Sequence, residues 1–215
     1  MKFLLLALLC LQAQDQTEDV RNALNLLTPA LQDPAFAQIE WEAVSGSATT
    51  TGVAHIKRGQ AWRIDQTFAK GGQTSVWDGK GYLQYMKASN KFYREVKEPV
   101  DQIVVMGGPL AELHYTGHSD RLLKGLKKAT LKVEKDDDLV DCTHIIVVRN
   151  ELGTEVELHF YVYAGNVVRK CLRKWKVQGK AFETSYAYKV IDPPTTTEKT
   201  FAFRPPSDAK DMRGN

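Results

Sequence analysis

Cysteine is scarce in this chain: three in 215 residues, at positions 10, 142 and 171. They have no zinc-type spacing and are too few for a disulfide scaffold. Charge of one sign is scarce as well. Twenty-nine basic residues stand against 26 acidic ones, a net +3. That excess is too small to make, by itself, the basic footprint that nucleic acid needs. No apolar stretch approaches 18 residues, so no segment is long enough to cross a bilayer core of about 30 Å as a helix. A glycine-rich phosphate loop is missing, and none of the five histidines stands beside a nucleophile motif such as Gly-x-Ser-x-Gly. What is present is ample apolar material, 43% of residues, which suffices for a sizeable core and excludes disorder, collagen and coiled coil as descriptions of the whole chain.

The N-terminus has the layout of a secretory signal peptide. Lys2 supplies one positive charge, Phe3 to Leu11 an apolar run, and Leu11-Gln12-Ala13 a small residue at a cleavage point. Removal of residues 1–13 would leave 14–215 as one exported, soluble domain. A lipoprotein signal acylated at Cys10 is the alternative, but Leu9 stands where such a signal needs a small residue.

The period of the apolar residues predicts the elements. Val20, Ala23, Leu24, Leu27 and Leu31 recur at helical spacing from Thr17 to Leu31, with Asp15 or Thr17 as N-cap and Pro29 as a kink or stop. The period then becomes two, with Ala37, Ile39, Trp41 and Ala43 alternating with Gln38, Glu40 and Glu42. A second strand is predicted without interruption from Thr51 to Gln66. Its inward face carries Ala54, Ile56, Arg58, Gln60, Trp62 and Ile64. Asp78-Gly79-Lys80-Gly81 marks a turn between strands Thr74–Trp77 and Tyr82–Lys87. Helix is expected again over Pro109–His114 and Ser119–Lys128, preceded by an exposed apolar run, Ile103–Met106, and a Gly107-Gly108 hinge. From Thr130 onward the pattern is a five-stranded meander, near 130–135, 140–149, 154–163, 167–178 and 181–191. The fold class is therefore α+β, mainly β: a large antiparallel sheet of about ten strands, which tends to curl, with about three helices over its apolar concave side. Such a half-barrel suits an apolar guest; the same pattern also fits a sheet with a filled core.

Little in the sequence points to catalysis or metals. His114 and His118 would share a helix face, but Gly117 lies between them and no acidic partner completes a ligand set. Asp136–Asp138 lacks the spaced oxygens and glycine of a calcium loop and reads as a solvated turn. No cofactor, metal or catalytic residue is expected. Arg58 is more informative. Between Ile56 and Trp62, its guanidinium either snorkels to a wet rim or meets several acceptors, as a latch on lid carbonyls would. Arg169, Lys170, Arg173, Lys174 and Lys176 form a basic run, either a solvated strand face or a dock for anionic headgroups. Cys142 and Cys171 fall on strands with a third strand between them, about 9–10 Å apart and beyond the disulfide limit of about 7 Å. Both thiols are expected to be unpaired.

Three stretches carry a resemblance. Ile56-Lys57-Arg58-Gly59-Gln60-Ala61-Trp62-Arg63-Ile64, then Val76-Trp77-Asp78-Gly79-Lys80-Gly81-Tyr82-Leu83, and finally Phe201-Ala202-Phe203-Arg204-Pro205-Pro206 resemble the LolA-like outer-membrane lipoprotein carriers. That family shows a Lys-Arg-Pro strand ending in an aromatic pair, a Ser-Asp-Gly-Lys turn before an aromatic strand, and a closing Phe-x-Phe-x-Pro-Pro. Gly59 replaces the family's proline, and Trp77 stands where serine usually precedes the aspartate. The resemblance implies an open half-barrel whose helical lid shields acyl chains of a lipid or lipoprotein crossing the periplasm toward the outer membrane, a non-enzymatic role with transient membrane contact. It puts the family's lid-latching arginine on Arg58 and its aromatic on Trp62. The cavity residues expected from it and from the alternation are Ile39, Trp41, Ile56, Trp62, Ile64, Leu158, Phe160, Tyr186 and Tyr188. The alternative within the same fold is an RseB-like regulatory module that binds an envelope protein partner.

Overall fold

A computed structural model describes residues 16–27, 36–97, 102–135, 140–151 and 153–213. The expected signal segment with Cys10, the Pro29 and Leu31 end of the first helix, and the Asp136–Asp138 turn lie outside the described residues.

Helix α1 (Thr17–Asn25) buries Val20 and Leu24, with Leu27 buried just beyond it, as the helical spacing predicts. Strands β1 (Phe36–Ser45), β2 (Ala48–Lys57), β3 (Ala61–Phe68), β4 (Gly71–Trp77), β5 (Tyr82–Met86) and β6 (Lys91–Glu95) follow. Helix α2 (Gln102–Thr116) separates them from β7 (Leu126–Lys135), β8 (Asp141–Glu151), β9 (Thr154–Tyr163), β10 (Val167–Val177) and β11 (Lys180–Ile191). A short β12 (Lys210–Asp211) closes the series. All twelve form one sheet in the order β12-β6-β5-β4-β3-β2-β1-β11-β10-β9-β8-β7. Pairing is antiparallel except for β12, which runs parallel to β6. The sheet curves without closing, so the architecture is an open half-barrel, mainly β.

This topology places α2. The two meanders join at β1 and β11, so β6 and β7 stand far apart in the strand order, and the chain between them carries the helix. α2 packs on β2, β3, β1 and β10, which is the concave side. The alternation sends Ile39 and Trp41 of β1, Ile64 of β3, and Val156, Leu158, Phe160 and Val162 of β9 into one buried cluster. Gly52 lets the sheet accept its largest neighbour: the Trp41 indole lies over it, and a Cβ at that position would collide with the ring.

Three expectations are corrected. The run Thr51–Gln66 is a hairpin, β2 and β3, because Gly59 takes φ +64 and Gln60 N donates to Lys57 O at 3.0 Å. Lys57 then faces Ala61 and Ile56 faces Trp62. A three-residue turn preserves the parity, so Ala54, Ile56, Trp62 and Ile64 stay inward while Arg58 and Gln60 leave the strand. The second correction concerns Ser119–Lys128, which is not a helix. Gly117 and Gly125 both adopt positive φ, and β7 pairing begins at Leu126, opposite Arg149, so the segment between is a series of turns. Thirdly, Ile103–Met106 belongs to α2. Ile103, Val104 and Met106 are buried and only Val105 is exposed.

Candidate functional site

The floor of the concave side is assembled by period-two alternation on the strands. Ile39, Trp41, Ile56, Trp62, Ile64, Leu158, Phe160, Tyr186 and Tyr188 are all buried and share one cluster with Ile103, Met106, Leu110 and Leu113 of α2. The helix therefore rests on the surface that the sequence marks as a cavity. Between Ile103 and Tyr115 every residue but Val105 is buried, the pattern of a helix enclosed on nearly all sides.

Two glycines bring it that close. Gly108 breaks the helix at φ +75, and Pro109 starts the second half, where its missing N–H leaves no donor idle. A Cβ on Gly108 would collide with Tyr188 Oη and lie 2.8 Å from the Tyr186 ring. One on Gly107 would lie 2.6 Å from Ala111 Cβ and 3.1 Å from Ile64 Cδ1. The break also frees carbonyls, which the floor satisfies: Gln66 Nε2 donates to Met106 O at 3.0 Å, and Tyr188 Oη to Gly107 O at 3.4 Å. Tyr186 and Tyr188 stack at 5.7 Å with an interplanar angle of 2°. Burial pushes Tyr186 up to about 12 and Tyr188 well above its ordinary range, so both hydroxyls stay neutral.

The far end of α2 meets the β2–β3 turn. Gly59 N donates to Tyr115 O at 2.8 Å, and the Arg58 side chain lies across Gly117, where a Cβ would stand 2.6 Å from Nε. Arg58 is thus half-buried at the C-terminal end of the lid helix, a place where helix-end carbonyls and the helix dipole favour a cation. Trp62 is fully buried, 5.8 Å from Tyr82 and cross-strand from Trp77.

The histidines do not converge on a ligand. His114 is buried in α2 with no hydrogen-bond partner for Nδ1. Burial, and then the neighbouring Arg58 charge, hold its pKa at about 4. His118 is out in the turn beside Asp120 at 3.6 Å. His144 and His159 lie on the outer face of the sheet, 2.8 Å apart, each with its other nitrogen on a glutamate, Glu134 and Glu157. Among the described residues no three metal-ligating side chains gather at one point.

One group escapes the sequence reading. Glu112, the only acid in α2, is buried against Arg121 and Arg149, and Arg149 and Arg173 share Glu151. The signal for it lies in two interruptions: Arg149 continues the inward series Ile145 and Val147, just as Glu112 interrupts an apolar helix. Arg173 accordingly leaves the expected outer basic run. Of the rest, Arg169 and Lys170 lie over the rings of Tyr163 and Tyr161, and Lys174 pairs with Glu183 at 3.6 Å. Cys142 and Cys171 are both buried and form no disulfide, with β9 between their strands.

No protein-family model matches the sequence, and neither does any curated protein. Solved structures are similar to it. An uncharacterized conserved protein from Thermus thermophilus is 11% identical, covering 92% of this chain and 99% of its own, with a TM-score of 0.53. A LolA superfamily protein from Nitrosomonas europaea is 10% identical over 86% of this chain and 96% of its own, with a TM-score of 0.38. The end-to-end likeness to the Thermus protein is one of fold, and that fold is the open half-barrel with a helical cover implied by the resemblance to LolA-like carriers.

Proposed function

We propose that this chain is a non-enzymatic, exported binding protein, cleaved after Ala13 and acting in the periplasm as one domain. In this reading it holds an acyl chain of a lipid or lipoprotein on its concave face. The observation that carries it is α2 itself: an apolar helix enclosed on nearly all sides, broken at Gly108, resting on an apolar floor. The helix stands where a guest would lie. Beneath it the indole nitrogens of Trp41 and Trp62 are buried without partners, as is Nδ1 of His114 on the helix itself. Unpaired groups of this kind cost about 1–3 kcal/mol each, a burden that a permanently sealed core has reason to shed and a cavity in exchange with a guest does not. Arg58 serves as the latch, holding the end of the lid at Gly117 and releasing it when a chain enters.

Titration of protein purified without detergent with a fluorescent fatty acid tests this. Saturable, one-to-one binding that perturbs tryptophan emission is expected, with slower release from Arg58→Leu, which replaces the reversible polar contact with an apolar one. Absence of saturable binding overturns the container. Unchanged affinity and release in Arg58→Leu removes the latch.

A further inference from the structure

Five charged side chains meet beneath the lid, away from Arg58. Glu112 projects from α2 and is 2% exposed. Arg121 Nε lies 2.6 Å from its Oε1 and Arg149 Nη2 3.2 Å from its Oε2. Arg149 reaches on to Glu151 with Nε at 2.8 Å and Nη2 at 2.6 Å, and its Nη1 donates to the carbonyls of Arg121 and Leu122 at 3.1 Å. Arg173 Nη2 meets the other Glu151 oxygen at 2.6 Å, and its guanidinium lies 4.8 Å over the Trp175 ring.

Among the described residues three guanidinium groups therefore face two carboxylates. Arginine does not give up its proton, so all three guanidinium groups carry their charge in a place largely removed from water. The two acids are not equivalent. Glu151 belongs to β8, whereas Glu112 belongs to the lid. If the lid lifts, one of the two counter-ions goes with it. The arginines that remain border the apolar floor: Arg149 follows Ile145 and Val147 on the inward face of β8, and Arg173 follows Cys171 on β10. A chain lying on that floor would bring its head to them.

We infer that this cluster is a headgroup site, which takes an acyl chain ending in an acid, a carboxylate or a phosphate, in exchange for Glu112 on Arg149 and Arg121. The inference rests on the reading of the concave face as an acyl container. The planar forks of two arginines match either headgroup, as they match the Glu112 carboxylate they now hold. Burial works against the Glu112 charge and raises its proton affinity, with Arg149 and Arg121 opposing, so return of that carboxylate to water relieves a desolvation cost.

Calorimetric titration of the full chain with dodecanoate, dodecyl phosphate and dodecanol, and with acetate and inorganic phosphate, tests the exchange. The acid-headed chains should bind about ten- to a hundredfold more tightly than the alcohol, the scale of one charge-assisted hydrogen bond or two weaker ones. Glu112→Gln, which keeps the shape and removes the competing charge, should raise this acid-to-alcohol ratio further. Lid release alone would tighten acid and alcohol together and leave the ratio unmoved, which would overturn the exchange. Equal binding of acid and alcohol by the wild-type protein overturns the headgroup site and leaves the container standing. Acetate or phosphate binding as tightly as dodecanoate makes this a free-anion site and overturns the role of the acyl chain. No binding of any chain overturns the container and this inference together.

Discussion

At the scale of single residues, burial keeps the His114 imidazole at a pKa of about 4, with Arg58 adding to the effect. The unfolded chain offers an ordinary histidine near 6.5. Between those two values the unfolded state binds a proton that the native state refuses, so stability is intact above about pH 6.5 and falls as the pH drops toward about 4. The loss attributable to this one group reaches about 3 kcal/mol. Urea unfolding of the wild-type protein and of His114→Asn at about pH 7 and about pH 4.5 isolates it. The variant should start lower and lose less. Equal losses would mean that His114 is protonated in the native state.

At the scale of elements, legibility followed local regularity. The strands from β8 to β11 are readable to within about two residues because apolar residues recur at every second position along much of each, and because Gly153, Gly165-Asn166 and Gly179 mark the turns between them. β2 and β3 run together because Arg58 and Gln60 keep the alternation alive through a turn that only Gly59 betrays. Residues 119–128 carry good helical spacing, yet positive φ at Gly117 and Gly125 and pairing of Leu126 with Arg149 win. The nine floor residues are legible because burial follows from period two. The arginine cluster is not, because contacts such as Glu112 with Arg149 join positions 37 apart in sequence. The Gly108 break yields the prediction at this scale. Gly108→Ala adds a methyl group at positive φ against Tyr188 Oη and should cost on the order of 2–4 kcal/mol. Tyr188→Phe deletes the obstructing atom, so the double variant should recover part of the loss in thermal melts. Additive effects would show that the helix does not press on that hydroxyl.

At the scale of the whole molecule, an open sheet must manage two edges. β12 covers part of β6: Lys210 N donates to Asn90 O at 3.0 Å and Met212 N to Phe92 O at 2.9 Å. On the β7 side, the Gln16 side chain accepts from Leu131 N at 3.0 Å and α1 packs alongside. Between these edges the C-terminal segment crosses the outer face, with Phe201 stacked on Phe36 at 6.4 Å and Arg63 5.1 Å over Phe203. Truncation after Asp208 therefore leaves the Phe201 anchor in place while uncovering the β6 edge. The expected result is a nearly unchanged melting temperature with concentration-dependent self-association by light scattering, since a bare strand edge is a template for pairing. A strictly monomeric truncation would show that the β6 edge needs no cover.

Because α2 is spliced between β6 and β7 and anchored at both ends, a helix that lifts from the floor, as the proposed container requires, cannot diffuse away. A resident tethered in this way competes with any visitor at a fixed local concentration that does not depend on how dilute the protein is. In the proposed container, the affinity an acyl chain displays would be a difference, its own grip on the floor less that of the helix it displaces. Departure would be helped by the same arrangement, since the returning helix would re-cover the apolar surface as the chain leaves. Severing both connectors would remove the competitor and turn a holder that lets go into a trap.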